Sequence, residues 1–162
     1  MRTSVTQKDW EDFRATGRVP AGARSEIVES WQRSQACVAL DLKRAPLLEE
    51  AALEGVQKAA ARLLRFAGPA MSKAGHLLSQ SGRMILISDA QGTILDLTGD
   101  RATVEKGLEN HLHIGGRWRE DDIGTNAIGT ALRTGRPVQV FSSEHYCAAI
   151  QRWSCSATPL ID

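Results

Sequence analysis

The densest group of side chains able to do chemistry is Glu144-His145-Tyr146-Cys147, followed by Cys155 within Trp153-Ser154-Cys155. Farther back, His111 and His113 stand two apart, and Cys37 is isolated. Carboxylate, imidazole and thiolate are zinc-type donors. A tetrahedral site needs three or four of them to converge, usually with a paired spacing, and here there is one compact cluster and no Cys-x-x-Cys. The residues therefore favour a structural reading: Glu144 and His145 hydrogen-bond a loop to backbone groups, and Cys147 and Cys155 fill small apolar spaces, as buried free thiols do. A nucleophilic reading needs Cys147 or Cys155 as thiolate, its pKa lowered by a cation or base such as Arg152 or His145. No residue is assigned to catalysis, to a metal or to a cofactor, and a redox or metal sensor stands as the alternative.

Upstream lies Gly124-Thr125-Asn126-Ala127-Ile128-Gly129-Thr130-Ala131-Leu132, with Trp118 before it and Gly135-Arg136-Pro137 after it. Thr125 or Asn126 can cap a short helix here, and Gly135 and Pro137 can end it. Glycine inside a helix costs about 0.5–1 kcal/mol relative to alanine, so Gly129 predicts that a side chain or a ligand presses close to its backbone. N–H groups at the start of such a helix favour a carboxylate or carbonyl oxygen. Trp118, Ile128, Phe141, Tyr146 and Trp153 are candidate apolar walls, although each aromatic taken singly reads equally well as core. The expected ligand-binding set is Trp118, Thr125, Asn126, Ile128, Gly129, Phe141, His145, Tyr146 and Trp153.

The elements that must position these residues begin with helices. Trp10 and Phe13 fit a short amphipathic helix ended by Gly17 and Pro20, and Ile27, Val28 and Trp31 mark a second, with Trp31 read as packing. Residues 47–66 carry the longest helical pattern, with Leu53, Val56, Ala60, Leu63 and Leu64 as its apolar stripe. Gly68-Pro69 is expected to interrupt it before a further run over 70–78. That stripe either packs on the domain's own sheet or meets a second copy. From Met84 the period changes: Met84 to Asp89 and Thr93 to Thr98 predict a strand hairpin turning at Asp89 and Gly92. Residues 102–106 read as helical, and Gly107 and Gly115-Gly116 as loops.

Trp118, the GTNAIGTAL run, Pro137-Val138-Gln139-Val140, Glu144-His145-Tyr146-Cys147 and Trp153-Ser154-Cys155-Ser156-Ala157-Thr158-Pro159-Leu160-Ile161-Asp162 occur in one order at close spacing. Together they resemble the N-terminal GAF sensor domain of AcoR/DhaR-like, sigma-54-dependent transcriptional activators. The resemblance reaches back through Ile85-Leu86-Ile87-Ser88-Asp89-Ala90-Gln91-Gly92 and, more loosely, to Ser30-Trp31-Gln32-Arg33-Ser34. It implies an α+β GAF domain, an antiparallel sheet with flanking helices, over residues 82–162, preceded by an N-terminal helical region over 1–81. It also implies that the helix carrying Ser30 and Trp31 precedes the sensor without defining it. Some GAF-fold proteins reduce free methionine sulfoxide with cysteines, which makes Cys147 and Cys155 the minority enzymatic reading. In the GAF arrangement one more strand lies between the Ile85 and Cys155 strands, followed by a closing helix. The chain is thus expected to lack both, so that its last strand closes against the Ile85 strand or pairs with another copy.

Composition narrows the remaining choices. Twenty Lys and Arg against nineteen Asp and Glu, in 162 residues, leave a net charge of +1 and no concentrated basic stripe, which argues against nucleic-acid binding. No stretch reaches the roughly 20 apolar residues of a membrane span, and the polar start Met1-Arg2-Thr3-Ser4 is no signal peptide. Three cysteines without a paired motif fit a reducing compartment, so a cytoplasmic location is expected. A phosphate loop and a helix-turn-helix are both absent from the sequence. The expected function is non-enzymatic: a signal-sensing domain that binds a small metabolite or a partner protein, such as a metabolic-kinase subunit, and controls an output ATPase domain.

Overall fold

The computed structural model describes residues 5–39 and 41–160. Expectations placed on residues 1–4 and 161–162 lie outside these described residues. The chain divides into two compact units, one built from residues up to Lys43 together with those from Trp118 onward, the other from Arg44–Arg117. The expected boundary between residues 81 and 82 falls inside the second unit.

In the first unit, α1 (Gln7–Thr16) starts at a capping box, in which Asp9 N donates to Thr6 Oγ1 at 3.2 Å and Thr6 N donates to Asp9 Oδ2 at 2.9 Å. It ends at Gly17, whose φ of 74° is the left-handed conformation that glycine adopts without strain. α2 (Ser25–Cys37) buries Ile27, Ser30, Trp31 and Ser34 along one face. After Trp118 come α6 (Glu120–Ile123), α7 (Ala127–Thr134), and the strands β3 (Val138–Phe141) and β4 (Ser154–Ala157), numbered in chain order. β3 and β4 pair antiparallel, Val138 opposite Ala157 and Val140 opposite Cys155. The core of this unit gathers Trp10, Phe13, Ile27, Trp31, Ala127, Ala131, Val140 and Tyr146.

The second unit holds α3 (Glu50–Ala59), α4 (Ala61–Leu78), β1 (Met84–Ser88), β2 (Ile94–Gly99) and α5 (Arg101–Leu108). The hairpin is as expected: β1 and β2 pair antiparallel, and Asp89 Oδ1 accepts the N–H groups of Gln91 and Thr93 in the turn. α5 is capped by Asp100, whose carboxylate accepts Thr103 N at 3.1 Å. The ends of the unit meet each other, through a bridge pairing Leu47 with Gly116 and a 2.9 Å bond from Arg117 N to Pro46 O.

Two expectations need correction. The helical run breaks at Ala60, and α4 continues through Gly68 and Pro69. Proline withdraws one N–H donor from the carbonyl four residues back, and here Arg65 and Pro69 are both exposed, while Gly68 has no Cβ to clash with the ring. The second correction concerns the strands. Antiparallel strands with flanking helices are present, but among the described residues they form two two-stranded ladders, β1 with β2 and β3 with β4, in place of one sheet.

Among the described residues no helix is long and apolar enough to cross a membrane.

Candidate functional site

α7 is fixed first by its own cap. Asn126 has the extended backbone of an N-cap, and its Oδ1 accepts Gly129 N at 2.9 Å. Its Nδ2 donates to Gly124 O at 2.8 Å and to Trp118 O at 3.1 Å, so one amide ties the helix start to the turn before it. Asn126 rather than Thr125 is therefore the cap, and the Gly129 N–H is already taken. Gly135, with φ 65°, ends α7 as the sequence predicts. Gly129 does meet a close neighbour, but it is main chain rather than a side chain or a ligand. A Cβ at this position would lie 2.6 Å from Glu120 N and 2.8 Å from Trp118 O.

Thr125 belongs to a buried polar network whose centre is Glu120, 5% exposed. Arg33 grips the carboxylate with two donors, Nε to Oε2 at 2.6 Å and Nη2 to Oε1 at 3.0 Å. Oε1 also accepts the hydroxyls of Ser30 at 2.5 Å and Thr130 at 2.8 Å. Thr125 Oγ1 lies 2.7 Å from Ser30 Oγ and 3.2 Å from Ser34 Oγ, and Ser34 Oγ donates to Ser30 O at 2.8 Å. Ser30 has one hydroxyl proton. With that proton on Glu120, Thr125 completes the chain by donating to Ser30. Burial pushes the Glu120 carboxyl up, but the hydrogen bonds from Arg33, Ser30 and Thr130 outweigh it and hold the group below its ordinary value of 4.5.

Further hydrogen bonds join α1 and α2 to the Glu-His-Tyr-Cys segment. Trp31 Nε1 donates to Glu144 O at 2.7 Å and Trp10 Nε1 to Tyr146 O at 2.9 Å. The Glu144 carboxylate, fully buried, accepts Arg24 Nη2 at 2.6 Å and Phe141 N at 2.9 Å. Tyr146 packs on Gly124, where a Cβ would come within 2.8 Å of the tyrosine Cβ. Arg14 lies over the Trp10 ring at 4.5 Å and near the Tyr146 ring at 5.7 Å. His145 is fully buried; its Nδ1 sits 3.1 Å from Ser142 O, and its Nε2 has no hydrogen-bond partner among the described residues. Burial lowers its pKa to about 4, so the ring is neutral at neutral pH.

Of the nine expected ligand-binding residues, Trp118, Thr125, Asn126, Gly129, His145 and Tyr146 are buried, while Ile128, Phe141 and Trp153 are half-buried. The thiols do not carry the reactive signature. Cys147 Sγ donates to Leu42 O at 2.9 Å, and burial raises its pKa; burial also pushes Cys155 up to about 12. Among the described residues no three of His, Cys, Asp and Glu converge to hold a metal ion. His111 and His113 instead face backbone carbonyls, Ala45 O at 2.7 Å and Ile114 O at 2.9 Å.

Sequence reasoning missed Ser30, Arg33, Ser34 and Glu120. It treated α2 as a preliminary helix, whereas α2 is built into the same unit as the GTNAIGTAL helix. A signal was present: Ser30 and Ser34 occupy the same helical face as Ile27 and Trp31, so hydroxyls line a stripe that must be buried and must find partners.

Comparison with known proteins agrees with this architecture. The chain is 38% identical over 144 residues to a 47.3 kDa protein in the thcA 5′ region of Rhodococcus erythropolis, covering 86% of this chain and 32% of that protein. It is 34% identical over 154 residues to the acetoin dehydrogenase operon transcriptional activator AcoR of Bacillus subtilis, covering 93% and 26%. It is 30% identical over 157 residues to the propane 2-monooxygenase operon transcriptional activator MimR of Mycolicibacterium smegmatis, covering 95% and 26%. The chain thus spans about a quarter to a third of the length of these relatives. Among solved structures, the E. coli DhaR(N)-DhaL complex matches with a TM-score of 0.81 at 21% identity, over 86% of this chain and 48% of that one, a likeness of fold. The sequence model described as MimR, N-terminal domain, matches residues 3–162, and the chain belongs to that family.

Proposed function

We propose that this domain is the non-enzymatic signal receiver of a transcriptional activator of the sigma-54-dependent kind, passing occupancy to an output ATPase domain. The family match supports the class, since relatives named AcoR and MimR are operon activators. The observation that carries the choice of signal is His145. With Nδ1–H donated to Ser142 O, the neutral ring presents Nε2 as a buried acceptor without a partner among the described residues. A buried polar atom of that kind is costly until a donor reaches it. The proposed signal is therefore a small metabolite bearing a hydroxyl or other hydrogen-bond donor, with Trp118, Thr125, Asn126, Ile128, Gly129, Phe141, Tyr146 and Trp153 as the proposed binding residues beside His145.

A protein signal is the second reading, because the structural neighbour DhaR(N) was crystallised in complex with DhaL. We propose a pairing of two copies of the chain as well, a reading supported by the exposed apolar side chains Phe66 and Leu77 on α4. The test is a thermal-shift screen of small alcohols, diols and hydroxyketones against matched ketones lacking the hydroxyl. A binder at one hundred times its dissociation constant stabilises by about 2.7 kcal/mol, and His145→Phe should abolish the gain. A response to the ketones alone overturns the reading of His145 as the acceptor of a ligand hydroxyl, and no response to any compound overturns the small-molecule reading and leaves the partner protein.

A further inference from the structure

Three successive carbonyls, those of Glu144, His145 and Tyr146, each accept a side-chain donor: Trp31 Nε1 at 2.7 Å, Gln151 Nε2 at 3.0 Å and Trp10 Nε1 at 2.9 Å. The segment lies between two single turns of 3-10 helix, Ser142–Glu144 and Ala148–Ile150, outside the β3–β4 ladder. Its main chain is thus positioned by side chains, and the two indoles belong to helices 113 and 136 positions earlier. α1 and α2 are themselves joined here, because Phe13 of α1 packs on the Trp31 ring at 4.9 Å. Arg24, at the N-cap of α2, adds an ion pair to the Glu144 carboxylate at 2.6 Å.

The turn before this segment is strained. Ser142 has a φ of 39°, a left-handed conformation that a residue with a Cβ keeps only where its surroundings over-determine it. Its carbonyl accepts both His145 N at 3.0 Å and His145 Nδ1 at 3.1 Å, so the imidazole's position and neutral tautomer depend on that turn. We infer that the docking of α1 and α2 and the buried setting of His145 are one equilibrium, with Trp10 and Trp31 as positioning residues for the imidazole. Breaking either indole contact frees the main chain next to His145 and lets water reach the ring. Conversely, whatever seats at Nε2 in the docked state holds both helices in place by its differential affinity. What seats there rests on the reading of His145 proposed above; the coupling concerns the chain alone.

Trp10→Phe and Trp31→Phe each keep an aromatic ring and remove the indole donor. Neither changes a charge; the charged groups packed on this segment are Glu144 with Arg24, and Arg14 near the Tyr146 ring. Followed by NMR in the wild-type chain, the His145 ring should titrate with a midpoint of about 4. In each variant with a native circular dichroism spectrum the midpoint should rise by about one pH unit or more as water reaches the imidazole, a change that lower global stability alone does not produce. A midpoint that stays at about 4 in either variant overturns the inference. The unaltered chain gives a second test. In native-state hydrogen exchange the indole N–H protons of Trp10 and Trp31 should open together with the His145 main-chain N–H, at one free energy and one denaturant slope. Exchange at His145 while either indole stays protected also overturns it. Both measurements use no ligand, so a failed hydroxyl screen and a failed coupling are told apart.

Discussion

Replacing Arg33 with alanine strips Glu120 of its two guanidinium donors while leaving the Ser30 and Thr130 hydroxyls in place. Breaking a buried ion pair from one side costs about 3–5 kcal/mol. The Arg33 side chain is 27% exposed, so water already screens part of the pair, and two neutral donors remain on the carboxylate. The expected loss is therefore about 2–3 kcal/mol, or roughly 4–12 °C in Tm for a chain of this size. The assay is urea unfolding followed by tryptophan fluorescence, run as a double-mutant cycle with Glu120→Gln. A coupling energy near 2 kcal/mol supports the pair as the clasp between α2 and α6, and one under about 0.5 kcal/mol refutes it. The acid limb offers a second readout. Glu120 titrates below its ordinary value, so its contribution is complete above the unfolded pKa and is lost as pH falls through the folded one. Without Arg33, burial dominates and that loss should begin at higher pH.

Two further outcomes follow from the same geometry. Gly129→Val should destabilise by about 2–4 kcal/mol, because its Cβ meets backbone at 2.6–2.9 Å that no rotamer change can relieve; calorimetry showing an unchanged melting temperature would remove the close-approach argument. His145, with a folded pKa of about 4 against 6.5 in the unfolded chain, is kept neutral by burial, so the unfolded state binds the extra proton between those values. Stability should fall by about 3 kcal/mol as pH drops from 6.5 to 4, and His145→Phe should flatten that limb of the urea-midpoint profile.

What could be read from the sequence was mostly local. The α7 stop at Gly135, the hairpin turn at Asp89 and Gly92, and the crowding at Gly129 each depend on a few neighbouring residues, and each is present in the fold. Of the two cap candidates the structure selects Asn126, because a side-chain amide serves three backbone groups at once where a hydroxyl cannot. The clasp was not legible, since Arg33 and Glu120 are 87 positions apart and nothing near either names the other. The run through Pro69 was hidden for another reason: helix-breaking rules weigh the proline and not the exposure of Arg65, which makes the lost bond cheap.

The meeting of Leu47 with Gly116 carries a consequence for how the polypeptide assembles. The first unit is written in two pieces separated by residues 44–117, that is 117 − 44 + 1 = 74 residues. Joining the pieces across an unstructured loop of that length carries an entropic cost that grows as (3/2)RT ln n. Once Arg44–Arg117 has folded and its ends are pinned together, the effective loop shrinks to a few residues, which lowers that cost by about 2.5 kcal/mol. During synthesis, α1 and α2 emerge first with Trp31, Ser30 and Ser34 awaiting partners more than eighty residues downstream. The inserted unit thus acts as a template for its host, and lesions that slow its folding should delay the burial of Trp31 even though they lie in neither piece of the host.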